Sequence, residues 1–450
     1  MRRLWSTLAL IAVLAGLGSY IYFVTWKQDA DSSASKAEKV FAGAGADKVT
    51  ELTVRSESGD ITTVKKDADT WQIVSPFTAR ASDADITAVT GAIAQLEVGK
   101  IIEENVENPA DLKQYGLDTP KLQVEFTSSD GKSGKILVGE KTATGSNLYA
   151  KRNDEKRVFL IPQYQEASLN KSSFDLRDKA IMSLQHDKVD GVEVVADGKT
   201  MVFSKSGSAW SFVKPLVARA DFSAVEGVLG RVETAQMKSV VTNDPTPADL
   251  KKYGLDKPAA TVNVKMGSAQ ATFVVGGRAD DDTVYARDGS KPTVVTVEKS
   301  LAEDLKKTVD DYRRHDIFES RAFSATHVEI TRGSQKLVLD RVKGTGDAGD
   351  TWHRASPNPG DADKEKVNKA LADLADINVT AFPGTTAKTG LDKPDMIVSV
   401  KFDDGKKSET VTFGKNGADI FASRPDEPGA EKVEAGKYND TVKEIDELAK

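Results

Sequence analysis

The chain has 450 residues, a formal net charge of −7, no cysteine, and 39% hydrophobic against 29% charged residues. That length exceeds one ordinary hydrophobic core, and the balance of apolar and charged residues is that of folded domains rather than of a disordered chain. Without cysteine there is no disulfide, thiolate nucleophile or thiol-linked lipid, and an acidic total argues against a general nucleic-acid binder, which needs a basic surface.

From Leu4 to Trp26 the chain carries no formal charge. As a helix this stretch would reach about 35 Å at roughly 1.5 Å per residue, enough to cross a hydrocarbon layer of about 30 Å. Arg2 and Arg3 precede it, whereas Lys27 is soon followed by Asp29 and Asp31. The basic flank predicts an N-terminus held in the cytoplasm and a body exported from it. Trp5 at one end and Tyr20, Tyr22, Phe23 and Trp26 at the other fit the two interfaces. A cleaved signal peptide has an apolar core of only about 7–15 residues, so residues 1–26 read as an uncleaved single-span anchor. Residues 27–45, rich in Ala, Ser, Asp, Lys and Gly, read as a flexible linker.

The remainder repeats one phrase: Tyr115-Gly116-Leu117-Asp118-Thr119-Pro120, Tyr253-Gly254-Leu255-Asp256-Lys257-Pro258, and Gly390-Leu391-Asp392-Lys393-Pro394. Its glycines lie 138 and then 136 residues apart, the mark of one domain-sized unit written three times. The units span residues 46–183, 184–324 and 325–450. Each opens with two short apolar runs across a polar turn, Val49 to Val54 with Ile61 to Val64 in the first, which predicts an antiparallel hairpin. Trp-x4-Pro follows at Trp71/Pro76, Trp210/Pro215 and Trp352/Pro357, the tryptophan anchoring the sheet against a helix and the proline ending the strand.

A helix comes next in every unit. Asp85 is followed by Val89, Ile93 and Leu96, Asp221 by Val225, Leu229 and Val232, and Asp363 by Val367, Leu371 and Leu374. The shared spacing makes one apolar stripe on a 3.6-residue period with Asp at or near the N-cap, and core packing is its expected use. After the glycine phrase come strands at Leu122 to Phe126, Thr261 to Val264 and Ile397 to Phe402. A second strand ends in Val138-Gly139, Val275-Gly276 or Phe413-Gly414. The first two units add Val158 to Ile161 and Val294 to Val297, and a tail helix closes each unit, clearest at Leu301 to Val309 and Val442 to Leu448. The fold class is α+β: three tandem units, each an antiparallel sheet packed with about two helices.

Chemistry is harder to find. His186, His315, His327 and His353 are scattered without metal-ligand spacing. No dinucleotide fingerprint, phosphate loop or nucleophile elbow is present. Asp280 to Asp282 and Asp403-Asp404-Gly405 lack the spaced oxygens of a calcium loop. What the units share is Trp, Pro, Gly, Leu, Asp and apolar stripes, the classes that build a fold. No catalytic residue, cofactor site or metal site is assigned, and the chain is expected not to be an enzyme. Arg177 and Arg313, in matching places at the ends of the first two units, are the candidate interdomain or ligand contacts.

Taken together, the anchor, Trp-x4-Pro, the Asp-capped helix and the Gly-Leu-Asp-x-Pro phrase resemble domain of unknown function family 4340, found in repeated copies in bacterial envelope proteins. The resemblance covers Asp47 to Lys450 and departs at Thr389, where the other copies have Tyr115 and Tyr253. It implies an inner-membrane protein, often encoded near ABC-transporter components of the gliding-associated type, and it carries over no catalytic residue. The expected function is therefore a periplasmic accessory or scaffold of an envelope complex, partnered by the inner membrane and an envelope protein such as an ABC-transporter subunit, with no nucleic acid. The alternatives are a periplasmic glycan- or peptide-binding module and an envelope-polymer hydrolase.

Overall fold

A computed structural model describes residues 38–153, 155–344, 349–384 and 387–450. The expected anchor at residues 1–26 lies outside them, and among the described residues no helix is long and apolar enough to cross a membrane. The end of the expected linker belongs to the first unit. Val40 and Phe41 are buried, and the Val40 amide donates to the Leu96 carbonyl at 2.9 Å. Two large apolar side chains outweigh the polar composition around them.

The first unit shows the plan. Its strands are β1 (Val49–Arg55), β2 (Ile61–Asp67), β3 (Thr70–Ser75), β4 (Ala79–Arg80), β5 (Ile101–Glu103), β6 (Leu122–Ser128), β7 (Ser133–Lys141), β8 (Asn147–Arg152) and β9 (Val158–Pro162). They form one antiparallel sheet in the order β4-β3-β2-β1-β6-β7-β8-β9-β5, and two further nine-stranded sheets repeat that order strand for strand. Two meanders thus meet at the β1–β6 pair, where Leu52 stands beside Val64 on one side and Phe126 on the other. Alternation puts these side chains on one face, while Thr53 and Thr63 bond across the opposite face at 3.0 Å.

The helices Asp83–Gln95, Phe222–Glu233 and Lys364–Ala375 lie between the meanders in sequence, and all nine residues of the repeated apolar stripe are buried. Asp221 and Asp363 are the N-caps of their helices, accepting backbone N–H groups, but the first helix begins earlier. Ser82 is its cap, and Asp85 sits three residues in, bonded back to the Ser82 hydroxyl at 2.7 Å. The tryptophans anchor as expected: the Trp210 indole donates to Glu226 at 2.8 Å, and Trp352 to Asn368 at 3.1 Å, both on the facing helix. The following proline bonds, Ser75-Pro76, Lys214-Pro215 and Ser356-Pro357, are all cis.

The glycine phrase has a specific physical cause. Gly116, Gly254 and Gly390 all adopt positive φ, between 65° and 69°. The turn then lies directly on a glycine of the neighbouring strand, which does not end at that glycine as expected but runs two residues further in each unit. A Cβ on Gly139 would meet the Tyr115 carbonyl oxygen at 2.1 Å, one on Gly276 the Tyr253 oxygen at 2.4 Å, and one on Gly414 the Thr389 oxygen at 2.6 Å. Gly276→Ala is therefore expected to cost on the order of 1–3 kcal/mol through forced backbone movement. Gly230→Ala, on an open helix surface, is expected to gain about 0.5–1 kcal/mol. Urea unfolding of both variants checks the contrast. Around this turn Tyr115 packs on Tyr149 and Tyr253 on Tyr285, with ring centroids 4.9 and 4.5 Å apart. Thr389 has no ring to offer in the third unit.

Three expectations change. The predicted helix Leu301 to Val309 is two short ones, Lys299–Asp304 and Val309–Tyr312, because Thr308 and Asp311 form a capping box that starts a new helix. The third unit does possess the last meander strand, Glu431–Val433, which the charge at Glu431 hides from an apolar pattern. The short strands at both sheet edges, such as Ala79–Arg80 and Ile101–Glu103, lack the length to show periodicity. The chain divides into two compact units, one ending at Lys179 and the other running from Ala180 to Lys450, so the second and third sheets share one unit.

Candidate functional site

Within the unit 180–450, the segment joining the second sheet to the third is stitched to both. The Asp221 amide donates to the Tyr312 carbonyl at 2.7 Å, and Arg313 bridges to Ala220. Three residues on, Asp316 bridges to Asn378, and the Val379 amide donates to the His315 carbonyl at 2.7 Å. Extended backbone at Arg313 then leaves its side chain free to enter the joint.

A cluster of buried ions meets there. Its acidic half comes from the turn Arg424-Pro425-Asp426-Glu427-Pro428-Gly429 and the strand it feeds. Arg313 Nη2 donates to Glu431 Oε1 at 2.9 Å and lies 3.4 Å from Glu427 Oε2, and all three side chains are at most 6% exposed. Arg219, from the edge strand Ala218–Arg219, bonds Glu427 through Nε and the Asp316 carbonyl through Nη2 at 3.1 Å. The Arg313 guanidinium stacks on Phe382, 3.8 Å from the ring centre. Cation–π contact and two carboxylates offset the lost hydration of a buried arginine.

A second buried carboxylate lies close by. Glu409 accepts the Glu319 amide at 2.9 Å, the Ser320 amide at 2.7 Å and Arg424 Nη1 at 2.6 Å. Burial alone would raise its pKa, yet these donors outweigh burial and hold it below the ordinary value. Arg424 also donates to the Ile317 carbonyl at 2.9 Å, and Arg314 to Asp316 at 2.7 Å. For Glu431 the balance is opposite. Burial, and next the neighbouring Glu427 charge, push it up to about 7 against the pull of Arg313 and Arg219.

Of the two arginines singled out by sequence, Arg313 is at the centre of this cluster. Arg177 lies in the other compact unit, bridged through its backbone to Ala81 with its guanidinium 5.3 Å from the Phe77 ring centre. Its Nη1 is buried without a hydrogen-bond partner among the described residues, and burial lowers its pKa. Sequence reasoning missed Arg219, Glu409, Arg424, Glu427 and Glu431. The available signal was Glu431 itself, a charge at the position where the other repeats carry an apolar residue.

The remaining polar features serve local structure. His186 pairs with Glu226 and Glu233, His327 with Asp340 and Glu329, and His315 bonds backbone carbonyls. Asp280 receives the amides of Asp282 and Thr283 at its turn. Among the described residues no group of three or more His, Asp or Glu is placed to hold a metal ion. A surface groove of about 490 Å³ separates the helices Lys364–Ala375 and Ala435–Leu448, but its charges pair with each other, Lys369 with Asp373 at 2.6 Å and with Glu444. What the joint cluster can do is fix two repeats together and hold a proton.

A comparison with curated proteins finds no match. Among solved structures, the crystal structure of the DNA polymerase sliding clamp from Pseudomonas aeruginosa with ligand matches at 9% identity and a TM-score of 0.15, over 89% of this chain and 93% of that one. A likeness of that size carries no argument. The family model described as "Domain of unknown function (DUF4340)" matches residues 71–211, 210–388 and 352–449. Each match begins at a tryptophan of the repeated Trp-x4-Pro, Trp71, Trp210 or Trp352, so the family's pattern runs in phase with the sheets described above. The chain belongs to the DUF4340 family.

Proposed function

We propose that the chain is a membrane-anchored scaffold of a bacterial envelope complex, its N-terminus cytoplasmic, its repeats periplasmic, and an ABC transporter its foremost partner. The observation that carries this reading is the use of the buried charges at the second joint. Arg219, Arg313, Glu427 and Glu431 bind one another and hold two repeats as one body. A guanidinium already shared between two buried carboxylates is poorly available to a ligand, which favours the scaffold over a glycan- or peptide-binding module seated on Arg313. The uncharged stretch Leu4 to Trp26 supports anchorage.

Affinity purification of the full chain from gently solubilised membranes tests the reading. A membrane-protein partner recovered in fixed ratio is the expected result. Repeated recovery of the chain alone, or with polysaccharide only, would overturn it.

A further inference from the structure

Glu431 stands where the other repeats carry core residues. Its partner across the ladder is Ala422, just as Val295 faces Ala286 and Phe159 faces Ala150. Val295 and Phe159 are buried side chains of the second and first repeats. A carboxylate at this place loses its water and regains little. Oε1 takes one bond from Arg313, while Oε2 is buried with no hydrogen-bond partner among the described residues. Glu409 shows what a fully supplied buried carboxylate looks like here, with two amides and an arginine. Moreover, Glu427 and Glu431 reach the same nitrogen, Nη2 of Arg313, so two buried carboxylates converge on one donor. A proton on Glu431 removes one of the two converging charges and makes its carboxyl a donor toward the Glu427 carboxylate, a carboxylic acid beside a carboxylate.

We propose that Glu427, Glu431 and Arg313 form a proton-operated latch between the second and third repeats, closed while Glu431 carries a proton and loosened when the proton leaves. This gives the scaffold a regulator, local pH, that its binding role alone does not require. The groups facing the latch are Arg424, 3.9 Å from Glu427 on the same turn, Arg313 from the linker and Arg219 from the edge strand. Strand Val379–Ala381 brings no titratable side chain. Phe382 packs on both Arg313 and the His315 ring, whose nitrogens face the carbonyls of Val379 and Asp310. Lys432 turns to Asp419, and Asp426 bonds Arg424 at the solvent side.

The sign follows from the raised pKa of Glu431 in the closed joint. A group that binds its proton more tightly when the joint is closed stabilises closure fully below its ordinary value of 4.5, and that contribution is lost as pH rises through about 7. Alkaline conditions open the latch.

The absence of cysteine makes the test direct. Lys257→Cys and Lys393→Cys place spin labels at equivalent exposed positions of the second and third repeats in the full chain. Pulsed electron resonance is expected to give one narrow distance at about pH 5.5 and a broadened or two-population distribution at about pH 8.5. E431Q, which keeps the shape of the protonated acid, should stay narrow at both values. E431V, carrying the residue of the second repeat, should do the same and serves if E431Q does not fold. A distribution independent of pH in the otherwise native chain would overturn the latch, as would a pH response retained in either variant.

Discussion

Arg313→Ala is expected to lower the unfolding free energy of the unit 180–450 by about 3–5 kcal/mol, the range for removing one partner from a buried ion pair. The size comes from what remains. Glu427 keeps Arg219, but Glu431 loses its one hydrogen-bond donor among the described residues and is left buried with two unsatisfied oxygens. The loss should be larger at pH 8 than at pH 6, because Glu431 must then either ionise unpaired or hold its proton against solution. Urea unfolding at both pH values measures it. Glu431→Val, which puts an apolar side chain at a register the other repeats already fill that way, should be neutral or stabilising.

Trp352→Ala is expected to cost a similar 3–5 kcal/mol by a different cause. Its side chain is 1% exposed in the core between the third sheet and the helix Lys364–Ala375, and its removal leaves a cavity as well as an unpaired Asn368 oxygen. Trp352→Phe keeps most of the apolar volume and loses the indole N–H, so about 1–2 kcal/mol is expected. Near-equal losses from Ala and Phe would mean that the hydrogen bond, not packing, anchors the sheet to the helix. Thermal unfolding with the two variants side by side separates the terms.

The fold was largely legible because the repeat shows each constraint three times. Val89, Val225 and Val367 share a phase that only a helix buried on one side explains, and Gly116, Gly254 and Gly390 share a turn that only positive φ allows. Short elements were not legible. Ala79–Arg80 and Gly360–Ala362 become strands by pairing with a neighbour far better patterned than themselves. Nor could a linear pattern show that Glu431, Arg219 and Arg313 meet, since they come from a strand, a distant edge and a linker. The strand Glu431–Val433 escapes an apolar pattern for the reason that makes it interesting. A charge at a buried register erases the apolar run that would reveal the strand.

The family match extends that legibility without adding chemistry. Its three segments begin at the three tryptophans, in step with the three sheets. The ion cluster lies at the joint of the second and third repeats, within the unit 180–450. Positions equivalent to Glu431 in the first two repeats are Phe159 and Val295, and neither can take an arginine.

If buried charge locks the second and third repeats into one body, scanning calorimetry of the full chain will show it. At pH 6 residues 180–450 are expected to unfold in a single cooperative transition, which Arg313→Ala lowers and splits into two. Separate melting of the second and third repeats in the native chain, or a transition that Arg313→Ala leaves unchanged, would contradict it.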